Sequence, residues 1–272
     1  MPNDILYDAA HAFSKMLEYD YHFILGDSKR QKTFSIISNE KDMFTHICGI
    51  DHLKDIPKVT ARKSSEKIAI LKNVLSKRIT FSDISGSQHL YETMSNKQNP
   101  ITNSAYTIFD RISHLSSAES ILDGCEKGTI YRWNNGPSGQ RQSKIQADYV
   151  LAVPSNNHPE EIHYFFLVVT EDLKRKNVKD KSTPIKTKII SAFSDRDKFL
   201  GNLSKPYTIL EVSKIEVKTK KIVFTKTHPA YQKEKDKIEQ DTVGVASSSK
   251  PTQMHTLDNN IIPKSYSIQG DG

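Results

Sequence analysis

Three side chains that can move protons or stabilise negative charge lie close together near the start of the chain: His46, His52 and Lys54. Histidine titrates near neutral pH and can accept or donate a proton, and a lysine ammonium group can stabilise charge that develops on a phosphate. This combination could therefore support proton transfer at a phosphate or the binding of one. A short apolar helix that carries histidines can equally be a plain packing element, and the stretch by itself leaves both alternatives open.

The segment 34–55 must position these three groups. Its first residues alternate between apolar and polar, which predicts a short strand ending near Ser38. Asn39 is expected to cap a short helix. Gly49 is expected to end that helix, because glycine readily adopts the left-handed conformation found at such ends. Asp51 is expected to cap a second helical turn that carries His52 and Lys54.

Helical patterns dominate the first half of the chain. Apolar spacing predicts a helix that begins after Asn3 or Asp4 and runs to about Tyr19, another that begins near Ser64, and a longer one from about Thr102 to Asp123. Between the first two helices, the apolar runs 21–25 and 32–37 flank a turn and predict a β-hairpin.

Strand patterns dominate the second half. They cover residues 129–133, 144–153, 161–170, 186–193, 207–212 and 215–224. Helices followed by strands predict an α+β fold, in which the N-terminal helices and a short hairpin pack on a mainly antiparallel sheet. The alternating charges and loop-like composition of the last residues divide the chain into a folded domain, residues 1–226, and a disordered or weakly ordered tail, residues 227–272.

The distribution of charge indicates the class of partner. The formal net charge is +7, and 34 basic residues stand against 26 acidic ones before Thr227. A basic folded domain favours a polyanion, with nucleic acid first and an anionic membrane second. The chain shows neither a signal-peptide pattern nor an apolar run long enough to span a bilayer. Its two cysteines, Cys48 and Cys125, lack metal-binding spacing and fit a reducing compartment. We expect a cytoplasmic protein that binds a nucleic acid and no membrane.

Several enzyme classes lack their signature residues in this chain. It contains no Walker loop, no GxGxxG, no HExxH and no GxSxG, and its carboxylates are scattered. The remaining candidate groups are histidine, lysine, arginine, serine and tyrosine, which suit metal-independent cleavage of RNA. In that reaction the 2′-hydroxyl attacks the adjacent phosphate while one group removes its proton and another protonates the leaving 5′-oxygen. No cofactor and no metal ion is expected.

Two motifs carry a resemblance to a known family. Residues 42–55, DMFTHICGIDHLKD, resemble the FxHLxGIxxLKD signature of a phage and mobile-element nuclease group, and residues 143–149, SKIQADY, are similar to its SKIxADY strand. A looser similarity covers Ile190–Phe193 followed by Tyr207–Leu210. The group is the fourth phage-encoded branch of the barnase–EndoU–colicin–RelE-like (BECR) superfamily. The similarity covers residues 5 to 224, with Cys48 and the pair Ser194–Asp195 departing from the family pattern.

The resemblance implies an RNase fold that cleaves RNA without a metal ion, and it implies roles for individual residues. His46 stands at the position of a general acid or base, Lys54 and Lys144 at those of phosphate-stabilising cations, and Ser191 at that of a hydroxyl in the site. Further candidate site residues are His52, Arg111 and Tyr207. The basic connector of Lys174, Arg175 and Lys176 is expected to bind the substrate.

Two other functions remain open at this point. The same basic scaffold could bind nucleic acid without cleaving it, or it could be an inhibitor that targets a host protein. As a toxin of phage or mobile-element type, the chain could also have an antitoxin as its partner. A binding module and an enzyme differ in geometry: the nuclease hypothesis requires its candidate residues to share a cleft.

Overall fold

A computed structural model describes residues 4–27, 32–91, 107–133, 146–156, 158, 160–170, 184–195 and 203–247. The described helices are α1 (Ile5–Met16), α2 (Phe44–Ile47), α3 (Ser64–Leu75), α4 (Phe81–Ile84), α5 (Ile108–Asp123) and α6 (Pro229–Ser247). The described strands are β1 (Tyr19–Gly26), β2 (Lys32–Ile37), β3 (Thr129–Trp133), β4 (Tyr149–Pro154), β5 (Ile162–Val169), β6 (Ile185–Asp195), β7 (Leu203–Glu216) and β8 (Ile222–Thr227).

Local hydrogen bonds explain where the long helices begin. The Asp4 carboxylate accepts hydrogen bonds from the backbone N–H groups of Leu6 and Tyr7, so it caps α1 as predicted. Thr107 and Asp110 cap α5 reciprocally: the threonine hydroxyl accepts from the Asp110 N–H, and the Asp110 carboxylate accepts from the Thr107 N–H. Helix α5 therefore begins a few residues later than the apolar spacing alone predicted.

The sheet closes into a seven-stranded barrel. The strand order is β1-β2-β6-β5-β4-β3-β7-β8, and β1 pairs with β7 as well as with β2, so β8 lies outside the closed part. Six of the seven pairings within the barrel are antiparallel, and β2 runs parallel to β6. The α+β class is confirmed. The early hairpin is part of the barrel rather than packed on a sheet. The pairing is mainly antiparallel as predicted, but the sheet is closed and the β2–β6 pair makes it mixed.

Two apolar clusters lie on opposite faces of the sheet. The larger one joins α1, α2, α3 and α5 to the inner face of the barrel, and it includes Phe13, Phe23, Phe44, Ile47, Ile112, Leu115, Phe165, Leu167, Ile189 and Val212. The smaller one covers the outer face of β3 to β6 and includes Trp133, Val150, Tyr164, Phe166 and Phe193. Because strand side chains alternate between faces, neighbouring residues such as Phe165 and Phe166 belong to different clusters.

A buried ion-pair network fixes α5 on the inner face. The Lys214 ammonium of β7 is 2.8 Å from an Asp123 carboxylate oxygen and 3.0 Å from Glu119 Oε1, both on α5. It also lies over the ring of Tyr19. The Tyr21 hydroxyl donates to the same Asp123 carboxylate at 2.6 Å. A lysine can be buried here because carboxylates and aromatic rings surround it.

The C-terminal part contains one feature that the sequence pattern did not predict. Helix α6 begins at Pro229, shortly after β8, and ends at Ser247. The chain divides into two units by contacts, Met1–Tyr231 and Gln232–Gly272. The disordered or weakly ordered character of residues 227–272 stays a prediction. No helix in the described part of the chain combines the length and the apolar composition that crossing a membrane requires.

Candidate active site

The segment between β2 and α3 folds into two short helical pieces around Gly49. A 3-10 turn at Lys41–Met43 leads into α2, and a second 3-10 turn follows at Ile50–His52. Gly49 lies between them with φ 80° and is the described glycine in the left-handed region, as its position predicted. Asn39 does not cap the helix: its side-chain oxygen accepts from the Ile189 N–H on β6 and ties the segment to the barrel.

The turn at Gly49 brings two imidazoles to one carboxylate. His46 Nδ1 is 3.0 Å from Asp51 Oδ2, and His52 Nε2 is 3.6 Å from Asp51 Oδ1. The Asp51 side chain is only 16% exposed, whereas those of His46 and His52 are 41% and 46% exposed. The cluster of His46, Asp51 and His52 therefore has a shielded carboxylate at its base and two imidazoles that solvent can reach.

The electrostatics keep the carboxylate ionised. Burial opposes ionisation of Asp51, but the hydrogen bond from His46 and the charges of His46, His52 and Arg111 together lower its pKa. Burial also lowers the pKa of His52, against the opposing effect of Asp51, and the charges of Arg111, His46 and Lys54 lower it further. An ionised Asp51 can only accept hydrogen bonds, so it fixes the proton of His46 on Nδ1 and leaves the Nε2 lone pair available.

Arg111 holds the turn in place through hydrogen bonds from its buried guanidinium group. It lies on α5 and is 5% exposed. Its Nε donates to the carbonyl of Ile47 at 2.9 Å, and a terminal guanidinium nitrogen donates to the carbonyl of His46. These carbonyls lie at the end of α2, where a helix has few N–H groups left to offer. The His46 carbonyl also accepts from the Gly49 N–H at 3.2 Å. The sequence analysis named Arg111 as a candidate site residue without specifying its contacts. The structure shows a buried arginine that positions the turn.

Lys54 follows the second turn on the exposed surface. Its backbone N–H donates to the carbonyl of His52, and its charge contributes to the lowered pKa of His52. The predicted cation and the two predicted histidines therefore occupy one short surface region. This grouping is local, since all three residues belong to the same segment of the chain.

Ser191 lies elsewhere on the sheet. It is buried in β6 and pairs with Phe166 across the strands. Phe166 and Phe193 belong to the outer-face cluster, whereas Phe44 of α2 packs with the inner-face cluster. Paired residues and residues two apart along a strand share a face, so Ser191 is on the opposite side of the sheet from α2. This placement weighs against a hydroxyl from Ser191 next to His46.

Tyr207 lines a small cavity inside the barrel. The described lining residues come from all seven barrel strands and include five hydroxyl groups, those of Thr33, Ser35, Tyr149, Thr187 and Tyr207. The cavity volume is about 20 Å³, which is room for about one water molecule. It is too small to hold a nucleobase. His46 is not among the described lining residues, so Tyr207 and the histidine cluster are separate features.

The remaining predicted site residues lie outside the described residues. They are Lys144 of the SKIQADY motif and the connector residues Lys174, Arg175 and Lys176. Their roles stay predictions.

Asp51 is a candidate site residue that the sequence analysis did not include. The capping pattern suggested that it caps the second turn, but it makes no side-chain cap there. It accepts from His46 instead. The sequence did contain a signal for this contact. Asp51 directly precedes His52, and Gly49, which lies between His46 and Asp51, allows the chain to reverse direction.

A comparison with models of protein families finds a match over residues 5–228 to the model described as phage-Barnase-EndoU-ColicinE5/D-RelE like nuclease4. The matched range contains the histidine cluster, Lys54, Arg111 and all eight described strands. Neither the curated proteins nor the solved structures contain a match.

Proposed function

Because the chain belongs to the phage-Barnase-EndoU-ColicinE5/D-RelE like nuclease4 family, we propose that it is an endoribonuclease that cleaves RNA by attack of the 2′-hydroxyl, without a metal ion. The observation that carries the proposal is the contact between His46 and Asp51. A solvent-accessible imidazole oriented by a shielded carboxylate is a suitable general base. The family is a nuclease family; the choice of RNA as substrate and the placement of the reaction at this cluster are our proposal.

In the proposed reaction, His46 Nε2 removes the proton of the 2′-hydroxyl. The 2′-oxygen then forms a bond to the adjacent phosphorus, and the bond from phosphorus to the 5′-oxygen breaks. The leaving 5′-oxygen takes a proton, for which His52 is the nearest second imidazole, at 6.4 Å between ring centroids. The products are a 2′,3′-cyclic phosphate and a 5′-hydroxyl.

The cations have separate roles in this proposal. Lys54, next to the histidines, and Lys144 stabilise the negative charge on the phosphate as the bond forms. Lys174, Arg175 and Lys176 contact the RNA backbone. Arg111 acts as a positioning residue, because its guanidinium bonds to backbone carbonyls rather than facing solvent. Ser191 lies on the opposite face of the sheet from α2 and Tyr207 lines the cavity inside the barrel, so neither has a role in the proposed reaction.

The test is cleavage of a defined single-stranded RNA in the presence of EDTA. We expect the wild-type protein to produce 2′,3′-cyclic phosphate ends and His46→Ala to lose about 10²- to 10⁴-fold in rate, the usual contribution of a general acid or base. His11→Ala is the matched control, because His11 is an exposed histidine on α1. It should cleave at the wild-type rate.

Three results would contradict the proposal. Cleavage that requires a metal ion would exclude the metal-independent mechanism, and full activity in His46→Ala would exclude the role of this histidine. RNA binding that weakens steeply with salt, without cleavage at any protein concentration, would support a binding module instead. An antitoxin or host protein as partner and a cytoplasmic location stay predictions.

A further inference from the structure

We propose that the cluster of His46, Asp51 and His52 also binds a divalent transition-metal ion of the zinc type, and that the bound ion inhibits RNA cleavage. The binding part concerns the cluster alone, and the inhibition rests on the proposed function. The site would make the same three residues responsive to the concentration of free metal.

The spacing of the ligand atoms fits such an ion. One ligand atom from each of the three side chains lies within 4.8 Å of the other two. The two imidazole nitrogens are 3.0 Å and 3.6 Å from the nearest oxygens of Asp51. Ligands about 2.0–2.1 Å from a tetrahedral zinc ion lie about 3.4 Å apart, so small side-chain rotations suffice to bring all three onto one ion.

The chemistry of the donor set selects the class of metal. Two imidazole nitrogens and one carboxylate oxygen suit zinc and its neighbours, whereas magnesium and calcium prefer oxygen ligands alone. Three protein ligands leave a fourth position of a tetrahedral ion open to water. The site therefore resembles an exchangeable metal site more than a closed structural one.

One oxygen of the cluster has no hydrogen-bond donor in the part of the chain that the structure describes. Asp51 Oδ1 is shielded from solvent and accepts no hydrogen bond from the described residues, since His52 Nε2 at 3.6 Å is beyond hydrogen-bond distance. A shielded carboxylate oxygen without a hydrogen bond is unfavourable, and coordination to a cation would satisfy it. The exposed imidazoles on either side give an ion access to this oxygen from solvent.

The backbone of the cluster is already held in place. Asp51 and His46 are joined through the left-handed turn at Gly49, and Arg111 bonds to the carbonyls of His46 and Ile47 below it. A preorganised backbone lowers the entropic cost of bringing the ligands together. The nearby charges of Arg111 and Lys54 oppose a cation, which favours reversible binding over permanent occupancy.

Metal binding would remove the property of His46 that the proposed reaction uses. In the cluster without metal, the Nδ1–H group of His46 donates a hydrogen bond to Asp51, and the lone pair on Nε2 is available. When Nδ1 coordinates the metal, the neutral ring carries its proton on Nε2 instead. The imidazole then has no lone pair with which to accept the proton of the 2′-hydroxyl.

The binding test uses the full, untagged chain after removal of metal with a chelator. Calorimetric titration with Zn²⁺ should show one ion per chain, and Co²⁺ should give the visible absorption of a tetrahedral site. We expect His52→Gln and Asp51→Asn each to weaken binding by about tenfold or more, at least as much as the loss of an outer-shell partner usually costs. His11→Gln, the matched control, should bind as the wild type does.

Thermal unfolding without metal verifies that each variant is folded, and added Zn²⁺ should raise the unfolding temperature of the wild type more than that of the two ligand variants. Wild-type protein that does not bind Zn²⁺ would overturn the inference. So would equal binding by the wild type and both ligand variants when all three are folded.

The inhibition test separates this inference from the proposed function. RNA cleavage in EDTA should fall as Zn²⁺ is added beyond the chelator and should return when more EDTA follows. Cleavage that is insensitive to Zn²⁺ at saturating occupancy would overturn the inhibition and leave the proposed function intact. Zinc binding in a protein that never cleaves RNA would confirm the metal site and refute the proposed function.

Discussion

Replacing Arg111 with methionine would remove the support of the Gly49 turn while keeping most of the apolar stem. The side chain is 5% exposed, and two backbone carbonyls of α2 depend on it. Methionine has no donor to offer them. The variant therefore removes a charged donor from the carbonyls of Ile47 and His46, and the His46 carbonyl keeps its hydrogen bond from the Gly49 N–H.

The expected cost follows from those two carbonyls. Leaving a buried acceptor unsatisfied costs about 1–3 kcal/mol, and bonds to a charged donor are at the upper end of that range. The His46 carbonyl is only partly buried and keeps its bond from the Gly49 N–H, so most of the cost comes from the Ile47 carbonyl. We expect Arg111→Met to lower the free energy of unfolding by about 2 kcal/mol, well above the change of about 0.5 kcal/mol that is usual for surface substitutions.

Urea denaturation followed by circular dichroism measures this difference. Arg132→Met is the matched control, because Arg132 is an exposed arginine on β3. The control should unfold at the wild-type midpoint, and the slope of the transition should be the same in all three proteins. If Arg111→Met is no less stable than Arg132→Met, the buried guanidinium does not support the turn and the reasoning fails.

Two further predictions use the same assay. Gly49→Ala should be destabilised by about 1–2 kcal/mol, because φ is +80° and the new methyl group would lie 2.9 Å from an Arg111 nitrogen. The control Gly86→Ala should be close to neutral, because its methyl group would have nothing within 4 Å. Equal losses of stability in the two variants would contradict this prediction. Burial lowers the pKa of His114 to about 3 in the folded protein. As the pH falls below 6.5, this histidine therefore takes up a proton in the unfolded chain but not in the folded one. The free energy of unfolding of the wild type should fall by about 2 kcal/mol from pH 6.5 to 5. Over this pH range His114→Leu should lose less stability than the wild type, whereas His11→Gln should lose as much. An identical pH dependence of stability in all three proteins would refute the role of His114.

Features set by neighbours along the chain were predictable. The cap at Asp4 and the left-handed break at Gly49 depend on hydrogen bonds and backbone freedom within a few residues, and the structure confirms both. The adjacent antiparallel pairing of β4 with β5 was also predictable, since a short turn-rich segment joins them. In contrast, the closure of the sheet needs β1 to pair on both edges, and apolar alternation specifies the face of a strand but not its partners.

The candidate site divides in the same way. The sequence determined that two histidines and a lysine stand within one short segment around a glycine, and it carried the motif that relates the chain to its nuclease family. Only the tertiary structure decided that Asp51 turns to His46, that Arg111 supports the turn from a distant helix, and that Ser191 faces away. The physical reason is that side-chain partners are chosen by packing and by the need to satisfy buried polar groups, and both depend on residues far apart in the chain.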